Sequence, residues 1–191
     1  MNKQEMKFWA RVFENVPNMS SGAMQGWIDN PEGLQQLLSG LASNPYLRHL
    51  KTVTLAATKG GVTLVKANWL DLDFENGGTD VSREGAAETK ADVYEMIRAG
   101  SHSSLFGSLG DPRSLCLSWG QVEEFCRNHC DLLRQGGCGT LFLFEKMNGE
   151  LFVASVYMFN GELDADVRSF SYSSVWSAEG CRRVVVKQQA V

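Results

Sequence analysis

Thr140-Leu141-Phe142-Leu143-Phe144 runs through Glu145-Lys146-Met147-Asn148-Gly149-Glu150 into Leu151-Phe152-Val153-Ala154-Ser155-Val156-Tyr157-Met158-Phe159, and Asn160-Gly161 follows at once. Two apolar, β-rich runs separated by Asn-Gly, with a second Asn-Gly behind them, predict consecutive antiparallel hairpins, because Asn-Gly supplies the positive φ that tight hairpin turns require. Asp164 to Tyr172 and Arg182 to Lys187 extend this to a predicted four-stranded antiparallel meander. Upstream, Ser118-Trp119-Gly120-Gln121 has capping-box spacing, in which a hydroxyl and an amide side chain satisfy free backbone donors reciprocally. It opens a predicted helix carrying Val122, Phe125, Cys126, His129, Leu132 and Leu133, which breaks at Gln135-Gly136-Gly137. Helices packed on antiparallel sheet define the expected fold class, α+β.

The first half reads similarly. Met6, Trp9, Ala10, Phe13 and Val16 lie at helical spacing and predict a helix over 4–16 with that stripe in the core. Ser20 or Ser21 caps a short helix, and Asn30-Pro31 starts another that carries Leu34, Leu37, Leu38 and Leu41. From Lys51 the period changes: Thr52–Thr58 and Val62–Ala67 around Gly60-Gly61 read as a hairpin, and Asn68–Glu75 alternates apolar and acidic residues as a third strand. The polar stretch 76–91 reads as a linker, followed by a helix carrying Val93, Tyr94, Met96 and Ile97. The Gly/Ser-rich 100–110 reads as an ordered connection. Expected organisation is therefore a helical pair plus antiparallel strands over 1–80 and a helix plus meander over 90–191, as two packed subdomains or one compact domain.

At 191 residues, with 43% hydrophobic and 21% charged side chains, the chain has the composition of a folding globular protein. A net charge of −4 and pI near 5.4 argue against a general affinity for nucleic acid. Neither a signal peptide nor a stretch approaching the roughly 20 apolar residues of a membrane span is expected. Five cysteines, an odd number, fit free thiols in a reducing compartment, so the expected location is cytoplasmic.

Ser118-Trp119-Gly120-Gln121, Leu141-Phe142-Leu143-Phe144, and Ser169-Phe170 followed by Val175-Trp176 together resemble a family of small uncharacterised bacterial cytoplasmic proteins, over residues 94 to 187. That resemblance implies a helix-plus-meander unit and carries no known activity.

Three groups of residues could bear chemistry. Cys126, His129, Cys130 and Cys138 offer the soft thiolate and imidazole ligands that zinc selects, although three of them crowd one helix, where Cys126 is equally a small core residue. Cys116, with His102 fourteen residues earlier, could form a nucleophile and base, although Leu115 and Leu117 point to burial. Asp71, Asp73 and Glu75 alternate along one strand, as Glu162, Asp164 and Asp166 do along another. Same-face carboxylates about 7 Å apart suit a basic protein partner better than a single cation. The expected function is a non-catalytic protein-binding or inhibitor-type module, of the kind found on mobile elements, with another protein as partner and no cofactor. The alternative is a zinc- or thiol-dependent enzyme centred on Cys126–Cys138.

Overall fold

The computed structural model describes residues 20–34, 44–59, 84–134, 138–159, 162–178 and 182–189, with isolated positions 3, 6, 7, 9, 10 and 14. The chain divides into two compact units, Met1–Ser43 and Asn44–Val191. In the first, the described positions between 3 and 14 are helical. Met6 and Trp9, expected in the core, are exposed there, at 50% and 37%. Helix α1 (Ser21–Asp29) starts where the serines predicted it, and the Asn30 side chain accepts from Gly33 N at 3.0 Å to start the next helical turn.

The second unit is built on a six-stranded, mostly antiparallel sheet. Its strands are β1 (Leu47–Leu55), β2 (Thr89–Met96), β3 (Thr140–Glu145), β4 (Leu151–Phe159), β5 (Glu162–Ser169) and β6 (Arg183–Lys187), in the order β1-β2-β6-β3-β4-β5. The β3-β4-β5 meander follows the predicted pairing, with Phe144 opposite Phe152 and Ser155 opposite Asp166. Gly149 closes the first turn at φ +84°, the left-handed conformation that glycine adopts without Cβ strain. The second turn, the partner of β1 in the predicted first hairpin and the strand predicted over 68–75 lie outside the described residues.

Two expectations about the sheet fail. Arg183–Lys187 does not extend the meander; it enters the middle of the sheet, antiparallel to β2 and parallel to β3, with Val184 beside Leu141. The stretch read as a helix through Val93–Ile97 contributes instead to strand β2, which pairs with β1 on one side and β6 on the other. For β6 the reason is burial on two faces, where Val184, Val185 and Val186 occupy adjacent positions and the period-two alternation disappears. In β2 the spacing of Val93, Tyr94, Met96 and Ile97 also fits a helix, and pairing with β1 and β6 decides for strand. Ala91 and Val93 serve one core while Tyr94 and Met96 serve the other.

Helix covers each face. On the first, α4 (Trp119–Asn128) packs Val122, Phe125 and Cys126 over Val93, Phe142 and Phe152. Its capping box forms as read, with Gln121 N donating to Ser118 Oγ at 3.3 Å and Ser118 N to Gln121 Oε1 at 2.9 Å. The helix stops at Asn128, earlier than predicted, and Cys130–Leu132 continues as a 3₁₀ turn. Phe125 meets Phe142 edge-on at 5.4 Å and Phe144 stacks on Phe152 at 5.1 Å. Such pairs add about 0.5–1.5 kcal/mol beyond the burial of the rings themselves. On the second face, the Gly/Ser-rich connection contains two short helices. They are α2 (His102–Gly107), capped by Ser101, and α3 (Pro112–Leu115), capped by Asp111. Leu105, Phe106 and Leu115 of these helices pack on Leu141, Val153 and Val184. Among the described residues no helix is long and apolar enough to cross a membrane.

Candidate functional site

The second face changes character where β5 ends. Phe170 N still donates to Leu151 O at 3.1 Å, and the chain then turns, with Tyr172 N donating to Ser169 O at 3.0 Å. Trp176 lies back against Gly100, each donating its N–H to the other's carbonyl at 3.0 and 3.2 Å. The residues from 170 to 176 are thus fastened to the start of α2 by two backbone bonds and by side chains.

Those side chains form an aromatic and cationic stack. His102, 1% exposed, lies 5.5 Å from Trp176 with 24° between the rings. Tyr172 leans on both at 6.4 Å. The Arg182 guanidinium sits 4.0 Å from the centre of the Trp176 ring and donates to Ser155 Oγ at 3.3 Å. Arg168 lies 5.4 Å from the centre of the Tyr172 ring and pairs with Asp166 at 2.8 Å. His102 Nδ1 approaches Ser169 O at 3.4 Å, whereas His102 Nε2 and Trp176 Nε1 are buried without a hydrogen-bond partner among the described residues. Burial holds the imidazole below its ordinary pKa. The Ser169 carbonyl and the Asp166 carboxylate oppose this, and Arg182 and Arg168 reinforce it.

Beside the stack lies a groove of about 490 Å³. Leu151, Val167 and Phe170 give it apolar lining, Ser169 and Ser171 hydroxyls, and Arg113, Lys146 and Arg168 a cationic rim. Each rim cation is held by a carboxylate: Arg113 by Glu145, Lys146 by Glu150 at 3.1 Å, and Arg168 by Asp166. These pairs are largely exposed, so they are individually weak and exchangeable.

The structure brings only part of the predicted sites together. Glu162, Asp164 and Asp166 occupy alternate positions of β5, opposite Phe159, Tyr157 and Ser155, and Asp166 is partly neutralised by Arg168. Asp71, Asp73 and Glu75 lie outside the described residues. Of the proposed zinc ligands, Cys126 faces the α4 core and Cys130 is exposed. His129 caps the C-terminus of α4, its Nε2 near Thr54 O at 3.3 Å. Cys138 stands half-buried just before β3. Among the described residues no three His, Cys, Asp or Glu side chains converge as a metal site. Burial above all pushes the Cys126 thiol up to about 12. It does the same to Cys116, with Glu145 adding to the shift, so both are protonated at neutral pH. The Cys116 thiol donates to Pro112 O at 3.5 Å, while His102 is engaged with Ser169 and Trp176.

Two further polar clusters decorate the sheet. Asp92 accepts from Thr52 at 2.5 Å and from Gln188 at 3.3 Å, and lies 3.3 Å from His49 Nε2. The Thr52 hydroxyl is therefore committed to the carboxylate. Glu95 bridges Arg48 and Arg134, and the Arg48 hydrogen bond, with both cations, holds its carboxyl below the usual range.

Sequence reading missed the groove. Its walls come from residues 113, 146, 149–152 and 167–171, joined by sheet register and by the packing of α3, so no local spacing announces the site. No family model, curated protein or solved structure matches the chain.

Proposed function

We propose that the chain is a non-catalytic protein-binding or inhibitor-type module that receives a segment of another protein in the groove beside β5. What carries this reading is the pairing of apolar lining from Leu151, Val167 and Phe170 with a rim of exposed, mutually neutralised charges. Covering the lining returns about 25 cal/mol per Å² of apolar surface. Exchanging a rim pair for a partner's charges sacrifices only about 0–1 kcal/mol per pair. The rim then sets orientation and association rate rather than bulk affinity. Asp166 belongs to this arrangement through Arg168 rather than as part of a free acidic strip.

The test places a photo-reactive amino acid at Ser171, in the groove, or at Asn128, at the end of α4. Both residues are exposed. In extracts of the producing cell, one protein is expected to crosslink to the Ser171 probe, not to the Asn128 probe, and to be lost when Lys146→Glu and Arg168→Glu are combined. Equal crosslinking from both positions, or a species indifferent to the charge reversals, rejects the proposal.

A further inference from the structure

We propose that His102 is a pH-operated latch: neutral, it holds the stretch 170–178 against α2, and protonated, it releases that stretch together with the groove wall formed by Ser169, Phe170 and Ser171. The latch itself stands on the geometry around His102; its consequence for recognition rests on the groove being the binding site.

Neutral imidazole suits the position. With Nδ1–H donating to Ser169 O, Nε2 presents a bare lone pair among ring faces. Protonation would add a second N–H where no acceptor stands among the described residues, and an unpaired buried donor is costly. The charge is also poorly received from every side. The residues of α2 itself carry none. From the 170–178 stretch come the Tyr172 and Trp176 rings, and from β5 come Arg168 and Asp166, already paired to each other. Ahead of β6 stands Arg182. A cation on Trp176 would ordinarily gain from the ring, but Arg182 already lies over that ring, so a second positive charge meets a like one. Burial and both arginines accordingly depress the imidazole's proton affinity, outweighing Ser169 and Asp166.

The sign follows from linkage. Released, His102 regains its ordinary value near 6.5. Above that pH neither state takes up a proton and the latch stays closed. As pH falls below it the released state binds the proton first. Each pH unit then shifts the closed-to-open ratio by up to about tenfold, until the closed state protonates too.

Fluorine-labelled tryptophan reports the latch in the full chain, with the Trp176 resonance assigned by Trp176→Phe. Between about pH 7.5 and about pH 5 the wild-type resonance is expected to move to its solvent-exposed position, and in His102→Asn, which keeps a donor for Ser169 but does not titrate, to stay put. A wild-type resonance that does not move, or an equal movement in His102→Asn, overturns the proposal. Should His102→Asn fail to fold, the imidazole C–H resonance of wild-type His102 decides. Titration in step with the Trp176 change supports the latch, and titration without it overturns the latch. The wild-type chain separates the two proposals: a false groove leaves the Trp176 response to acid intact without a specific Ser171 crosslink, and a false latch leaves Ser171 crosslinking intact at neutral pH.

Discussion

The two faces of the sheet are built to different standards. Under α4 the packing is aromatic and aliphatic, with Phe125 on Phe142 and Phe144 on Phe152, and the helix start is doubly bonded at Ser118 and Gln121. Under α2 and α3 the core, Phe106 included, ends in His102, Trp176 and Arg182, where two ring nitrogens are buried without partners among the described residues. Face one spends its apolar surface on stability, and face two retains groups whose environment can change. Arg134 Nε and Arg183 Nε are likewise buried without a partner among the described residues, so what sets face two apart is a titratable ring stacked on Trp176 beneath Arg182.

The hardest blow to this contrast is Phe142→Ala. A fully buried ring removed from the α4 core should lower unfolding free energy by about 3–5 kcal/mol, measured by urea denaturation. A loss under about 1 kcal/mol would mean that the core collapses around the gap and face one is no stiffer than face two.

Acid should act on the other face. The folded state holds His102 neutral, so below about pH 6.5 the unfolded chain binds the extra proton and stability falls by up to about 1.4 kcal/mol per pH unit. The fall levels off once the folded imidazole also protonates. His102→Asn should flatten this part of the pH–stability curve. Glu95 acts in a lower window. Its carboxyl is depressed by Arg48 and Arg134, so its contribution is complete above about 4.5 and is lost as pH falls from there through the folded value. A chain equally stable in denaturant at about pH 7.5 and about pH 5.5 would remove His102 from the account.

Smaller effects sharpen the contrast further. Ser118→Ala deletes one arm of the capping box and should cost about 1 kcal/mol in thermal or chemical unfolding, leaving Ser171 crosslinking unchanged. Lys146→Ala breaks an exposed pair and should alter stability by no more than about 0.5 kcal/mol while weakening partner capture.

Local chemistry explains what could be read from the chain and what could not. The capping box at Ser118 and the Asn148-Gly149 turn were legible because each is decided within four residues, and with them the helix-plus-antiparallel-sheet class. Strands β2 and β6 were not placed. Val184, Val185 and Val186 are all buried, and a run apolar at successive positions carries no sign of its neighbours. The parallel contact of β6 with β3 is fixed by the whole sheet. Of the candidate site, Asp166 was anticipated, though as an unpaired acid rather than the counterion of Arg168. His102 was visible only as a conceivable base for Cys116, because stacking on Trp176 joins residues 74 positions apart. The groove rim has the same origin: Arg113 of α3 and Arg168 of β5 line one groove through the packing of α3 beside Glu145 and the register of β4 and β5.

Hydrogen exchange compares the two faces most directly. At neutral pH the amides of Gly100, Phe170, Tyr172 and Trp176, all bonded in the folded chain, should exchange through local opening at least about tenfold faster than those of Phe142 and Phe144 in β3, relative to their intrinsic rates. Mild acid should widen that gap in wild type and not in His102→Asn. Equal protection of both sets, with equal response to acid, would contradict the division of the sheet into a stable face and an adjustable one.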